Sequence, residues 1–218
     1  GAAAAVAAAL GDAPAAGHAV EHDGTAIVSA PDGRLLIHAP EARGAAVQTQ
    51  LAAHAEAGDA ARWHLLGIRA GVPLVTAATA DLFVPQTANW DLVGGVNFQK
   101  GCYPGQEIVA RMQYLGRLKE RTMRFRVDGP PPAPASRLYS PAFGDQACGT
   151  VVNAASAPEG GATLSTVPSQ LSSIPFPLHV STPGGPGTQL SFRTPPIHWA
   201  VPLRAQGPEI GTEAQRES

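Results

Sequence analysis

Cysteine is nearly absent from this chain: Cys102 and Cys148 are the two in 218 residues. Two thiols this far apart exclude a disulfide scaffold. With no CxxC pair, they also exclude a zinc knuckle or an iron–sulfur ligand set supplied by this chain alone. Aromatics make up only 6% of the residues, so the core must be built from small aliphatics with few large anchors. Long hydrophobic runs are missing too. The apolar opening from Gly1 to Leu10 is short and follows no basic stretch, so it reads neither as a secretory signal nor as a membrane span. Charge of one sign is not in excess. A formal net charge of −2 offers no general attraction to nucleic acid or to an anionic membrane. Scarce cysteine fits a reducing, cytoplasmic location. The first residue is not methionine, and the chain reads as a piece that starts inside a longer protein.

Turn formers, by contrast, are plentiful: 24 glycines and 21 prolines predict many short elements. Residues 1 to 20 are alanine-rich and read as a helix ending near Gly17. Ala26–Ser29 and Leu35–His38 read as strands around the turn Pro31-Asp32-Gly33-Arg34. Ala45–Ala57 has the spacing of a helix with one buried face and Gly58 to end it. Trp63–Ile68 reads as a strand stopped by Gly71-Val72-Pro73. Thr122–Val127 alternates basic and apolar residues as a half-buried strand does, and Leu138–Ser140 and Ala147–Asn153 read as further strands. Helices alternating with antiparallel strands predict an α+β fold. Beyond Leu164 the chain is rich in Ser, Pro, Thr and Gly and lacks lysine. Such a composition buries too little apolar surface to offset chain entropy, which predicts a disordered tail over 164–218 and exposed strand edges before it.

The most distinctive stretch is Lys100-Gly101-Cys102-Tyr103-Pro104-Gly105-Gln106-Glu107, continuing to Arg111. It sets one of the two cysteines between glycines just before a helix start, with Pro104 at the first helical position. Glu107 and Arg111 stand one turn apart and can pair. A thiol beside the free N–H groups of a helix start, with Lys100 close by, is expected to ionise more readily than a free cysteine. Two readings of Cys102 stand: a reactive or transiently ligating thiol, and a small packed cysteine in a glycine turn. Gly101 and Gly105 permit backbone angles that other residues avoid. No histidine lies near enough in sequence to make a Cys–His hydrolase.

Other polar groups also divide between two readings. Gln86, Asn89 and Asp91 can serve a ligand or simply build turns. Arg111, Arg117, Lys119, Arg121, Arg124 and Arg126 form either a local RNA-contacting patch or a solvated edge. The seven histidines are scattered without metal-ligand spacing, so no stably bound metal is expected. Gly94-Gly95-Val96 falls short of a phosphate-binding loop.

The Lys100–Glu107 run resembles the KGC[YF]xGQE signature of the folate-binding YgfZ family, relatives of the glycine-cleavage T-protein, an aminomethyltransferase. Trp63 to Pro73 is similar to that family's W…IRAGxP segment, Phe83 to Asp91 to its FxPQxxNxD segment, and Gly149 to Gly161 to its GxVVNAAPAPEGG run. The similarity extends over residues 20 to 163. It implies the ferredoxin-like half of a T-protein-like folate-binding domain, truncated at its N-terminal side, over 1–120. The start of a C-terminal β-barrel follows over 121–163.

The resemblance further implies tetrahydrofolate or another folate as ligand, stacked on Trp63, with Cys102 as the functional thiol. The signature residues Lys100, Gly101, Tyr103, Gly105, Gln106, Glu107 and Arg111 would support it. The implied role is support of iron–sulfur cluster assembly or repair and thereby of tRNA modification, with iron–sulfur enzymes or assembly factors as clients and no membrane partner. That role is accessory rather than enzymatic. A tetrahydrofolate-dependent aminomethyltransferase and an inactive truncated homologue remain as alternatives, since fold does not fix function.

Overall fold

A computed structural model describes residues 2–116, 118–127, 129–158, 160–168, 178–180 and 188–192. The chain divides into two compact units, Gly1–Ala60 and Ala61–Ser218.

The first unit holds α1 (Ala2–Leu10), β1 (Ala19–His22), β2 (Thr25–Ser29), β3 (Leu35–His38) and α2 (Glu41–Ala52). The strands form an antiparallel sheet in the order β1-β2-β3, with Ile27 opposite both Val20 and Ile37. Ile27 is fully buried, Val6 of α1 and Val47 of α2 are buried, and the two helices pack together. The expected helix over 1–20 is shorter than read. It ends before Gly11, whose φ of 105° is costly for other residues. The rest of that stretch leads into a hairpin whose turn, Asp23-Gly24, has φ of 48° and 73°. Positive φ at both central residues matches the right-handed strand twist, which is why Asp-Gly suits this position. The hairpin read around Asp32-Gly33 is present, closed by Ala30 and Arg34 and by the Arg34–Asp32 ion pair at 2.6 Å. The helix read over 45–57 lies at 41–52, with Pro40 at the N-cap position and Glu41 in the first turn, where a carboxylate favours the N-terminus.

In the second unit, α3 (Ala60–Ala70) leads by a long irregular segment to α4 (Gln106–Tyr114). The strands β4 (Glu120–Val127), β5 (Arg137–Tyr139), β6 (Ala147–Ala157), β7 (Gly160–Pro168), β8 (Leu178–Val180) and β9 (Thr188–Phe192) follow. They close into a barrel in the order β4-β7-β6-β5-β8-β9, with β9 returning to β4. Phe125, Val127, Leu138, Cys148, Val151, Leu178 and Val180 fill the main core. The other face of β6 meets α3: Val152 and Ala155 pack with Leu65, Ile68 and Ala162. A strand buried on both faces reads as a continuous apolar run, and this accounts for Val151-Val152 standing side by side.

Two sequence readings need correction here. Trp63–Ile68 is helical rather than extended. A short apolar run cannot tell a buried strand from a buried helix. What decides is the C-terminal cap: Gly71 has φ 74°, its N–H donates to the Ile68 carbonyl at 3.0 Å, and the Val72 N–H donates to the Gly67 carbonyl at 2.9 Å. This is a Schellman stop, with Pro73 just beyond it. The second correction concerns the tail. Residues 164–168, 178–180 and 188–192 are strands, and with them the barrel closes instead of stopping part-way with exposed edges. Three- and five-residue strands leave almost no trace in composition, yet they pair the free edges of β4 and β5. The remainder of 164–218 lies outside the described residues.

Candidate functional site

The segment Phe83–Asp91 contains the buried residues on which the site is built. Gln86 is fully buried, and its Nε2 donates to the Val109 carbonyl of α4 at 2.6 Å. Asn89, almost fully buried with φ 63°, donates from Nδ2 to the Thr122 carbonyl of β4 at 2.7 Å. Arg121 completes the arrangement. Its two Nη atoms donate to the Asp91 carboxylate at 2.7 and 2.9 Å, and Nη1 also reaches the Gln86 carbonyl at 3.0 Å. Of the two readings for Gln86, Asn89 and Asp91, the structural one accounts for these contacts. Their polar groups tie the segment to α4 and to the barrel.

The signature loop begins beside this anchored segment. The Tyr103 N–H donates to Oε1 of Gln106 at 3.1 Å, and the Gln106 N–H donates back to the Tyr103 carbonyl at 3.3 Å. This reciprocal pair closes the four-residue turn Tyr103-Pro104-Gly105-Gln106 ahead of α4. Gly105 is the N-cap residue, with φ 80°, so its lack of Cβ serves a positive φ. Pro104 is not the first helical residue as read; it lies in the turn before the cap. The Lys100 ammonium rests 4.8 Å from the centroid of the Tyr103 ring, a cation–π contact. Cys102, between them, is exposed, so the loop presents its thiol to solvent and does not pack it. Gly101, Glu107 and Arg111 are also exposed, the last two one turn apart on α4.

A cavity of about 260 Å³ opens under this loop. Pro85, Trp90, Asn97, Lys100, Tyr103 and Val109 contribute to its lining. A smaller one of about 120 Å³ shares Pro85 and Trp90 and lies against Phe83 and Val152. Sequence reading gives Trp90 no role and names its partner Gly95 only within the Gly94-Gly95-Val96 run. A Cβ on Gly95 would collide with Cε3 of the Trp90 ring. The Gly94-Gly95 pair is the available signal: it serves a close approach to an indole, not to phosphate.

Trp63 sits on α3, 41% exposed, and is not among the residues lining either cavity. The basic patch is partly spent on structure. Arg121 grips Asp91, and Arg124 donates to the Arg69 carbonyl at 2.6 Å. Lys119 and Arg111 are exposed, and Arg117 lies outside the described residues. Cys148 is buried in the barrel, and burial pushes its thiol up from the ordinary value. Among the described residues no three His, Cys, Asp or Glu side chains converge as a metal site, and no helix is long and apolar enough to cross a membrane.

No family model matches the chain. In sequence it is similar to the tRNA-modifying protein YgfZ of Edwardsiella ictaluri, 37% identical over 119 residues, or 54% of this chain and 36% of that protein. It is 41% identical to the protein of the same name from Sodalis glossinidius over 106 residues, and 41% identical to that of Escherichia fergusonii over 86. These matches take in 47% and 39% of this chain and 32% and 26% of those proteins. The chain thus spans about a third of the length of the curated relatives it matches. In structure it resembles the glycine cleavage system aminomethyltransferase T of Bartonella henselae, with a TM-score of 0.65, 18% identity, and coverage of 94% of this chain and 57% of that one. The chain is therefore YgfZ-like in sequence over its matched residues, and its fold is similar to that of the matched part of the Bartonella henselae aminomethyltransferase T.

Proposed function

We propose that this chain is part of a folate-binding, YgfZ-like protein of the cytoplasm. Its role is to support iron–sulfur cluster assembly or repair and, through client enzymes, tRNA modification. The observation that carries the reading is the signature loop: Lys100–Glu107 follows KGC[YF]xGQE, and the loop is pinned by the Tyr103–Gln106 pair with the Cys102 thiol exposed. An exposed thiol on a rigid turn is available to a client protein or a sulfur-bearing intermediate, whereas a buried one is not.

The residues present fit one ring of a folate better than the whole molecule. Trp63 offers a partly exposed indole on α3 for a flat ring to stack on. Neither described cavity includes Trp63 in its lining, so a ring stacked there would lie on a partly exposed face of α3. On this reading, residues 1–120 carry the folate-binding part and the barrel begins after them.

Complementation tests the thiol. Cys102→Ala is expected to leave the fold intact and to abolish rescue of a strain lacking its homologue; full rescue would remove the thiol from the mechanism. Calorimetric titration of tetrahydrofolate into the chain and into Trp63→Ala tests the ligand, with weaker binding expected for the variant. Equal binding by both would discard Trp63 as the stacking residue.

A second reading, a tetrahydrofolate-dependent aminomethyltransferase, is favoured by the fold likeness. The signature argues against it, because KGC[YF]xGQE is the mark of the YgfZ branch. Release of a one-carbon unit to tetrahydrofolate from an aminomethyl donor, measured on the full-length protein, would support it over the first.

A further inference from the structure

We propose that the cavity under the signature loop is a binding site for a single-ring aromatic carboxylate. This site is separate from any ligand stacked on Trp63, which does not line it. Three observations converge on that chemistry.

The walls are suited to a flat apolar ring. Trp90 and Tyr103 contribute aromatic surfaces and Val109 is a buried aliphatic. The Trp90 ring is held in place because Gly95 packs directly against it, so the wall is preformed. Rigid aromatic walls stack on a planar guest with little ordering cost.

One lining side chain is charged. Lys100 is exposed and lines the cavity, and its described contact is the Tyr103 ring at 4.8 Å. Among the described residues no carboxylate pairs with it. An ammonium held only by a ring quadrupole retains donors for an anion, and a carboxylate is the stronger partner. Asn97, also on the lining, accepts at Oδ1 from the Gln99 N–H at 2.8 Å, which leaves its Nδ2 to donate to a guest.

Size sets the limit. A volume of about 260 Å³ falls short of the roughly 300 Å³ at which drug-sized ligands begin to be enclosed. One ring with one acidic substituent fits; a fused system with a long tail does not.

Benzoate and its neutral counterpart benzamide provide the probes. Each is titrated into the full chain while the indole N–H resonance of Trp90, identified by its loss in Trp90→Phe, is followed by NMR. Benzoate is expected to shift that resonance and to bind at least roughly tenfold more tightly than benzamide. Lys100→Gln should remove this preference, so that benzoate binds the variant no more tightly than benzamide does. Trp63→Ala should leave both affinities unchanged, so a failed folate assignment at Trp63 and a failed cavity assignment give different results. The proposal is overturned if the Trp90 resonance responds to neither probe. Equal affinity for benzoate and benzamide in the unaltered chain, or a preference that survives Lys100→Gln, overturns it as well.

Discussion

Arg121 and Asp91 meet as two parallel hydrogen bonds, Nη1 to Oδ1 at 2.7 Å and Nη2 to Oδ2 at 2.9 Å, with both side chains mostly shielded from water. The pair joins the first residues of the barrel to the end of the Phe83–Asp91 segment, and thereby fixes the wall that carries Trp90. Arg121→Met is expected to strand the Asp91 carboxylate and to destabilise this unit by about 3–5 kcal/mol. Arg121→Lys should recover only part, because an ammonium lacks the planar fork. Urea unfolding midpoints check both; an Arg121→Met protein as stable as the parent would show the pair to be ornamental.

Asn153 plays a similar part through hydrogen bonds alone. Its Nδ2 donates to the Leu74 carbonyl at 2.7 Å, and its Oδ1 accepts from the Leu74 N–H at 2.8 Å. One side chain thus stands in for a strand neighbour. Asn153→Leu leaves both backbone groups without that partner and is expected to cost about 1–3 kcal/mol for each group that stays dry. Amide hydrogen exchange should show the Leu74 N–H losing protection in the variant. Unchanged exchange at Leu74 would contradict the assignment.

Gly95→Ala places a methyl group against Cε3 of Trp90. The ring must move, at a cost of about 1–3 kcal/mol as for other overpacked sites. The expected signs are a changed Trp90 indole resonance together with a lower unfolding midpoint. A variant with parental spectrum and stability would mean that the ring is loosely held.

The two thiols are expected to differ sharply. Cys102 is exposed and Cys148 is buried. An aromatic disulfide reagent should therefore modify one thiol in the native protein and a second only after unfolding. Cys102→Ala should remove the first reaction. Modification of Cys148 at the rate of Cys102 would show that the barrel opens readily.

Burial raises the Cys148 thiol above its unfolded value, with a backbone hydrogen bond lowering it and the Glu120 charge raising it further. The native state therefore holds that proton more tightly than the unfolded chain. Its contribution to stability is complete below the unfolded value of about 8.5, and is lost as pH rises through the higher native value. Stability of the parent should fall over this alkaline range more steeply than that of Cys148→Ala. Parallel pH profiles for the two proteins would rule the thiol out as the cause.

Legibility from sequence followed the range of the interaction. The Asp32-Gly33 hairpin, the half-buried strand through Phe125 and Val127, and the signature loop all depend on neighbours a few residues away, and all could be read. At Trp63–Ile68 the local pattern was ambiguous. The helix was decided by the Gly71 cap and by Leu65 and Ile68 packing against Val152 and Ala155. The tail strands were invisible because Leu178–Val180 and Thr188–Phe192 are too short to carry a period.

By itself, the sequence determined that this chain is α+β and low in cysteine, and that it carries a KGC[YF]xGQE loop with a solitary thiol. Composition, turn chemistry and a contiguous motif are local properties. Tertiary structure decided that Gln86, Asn89 and Asp91 are anchors and that the barrel closes. It also decided that Trp90, not Trp63, lines the cavity beneath the signature loop. The anchoring contacts join partners some twenty to eighty residues apart, as with Gln86 and Val109, Asp91 and Arg121, or Leu74 and Asn153. Their pairing becomes favourable only once the fold has excluded water from both sides.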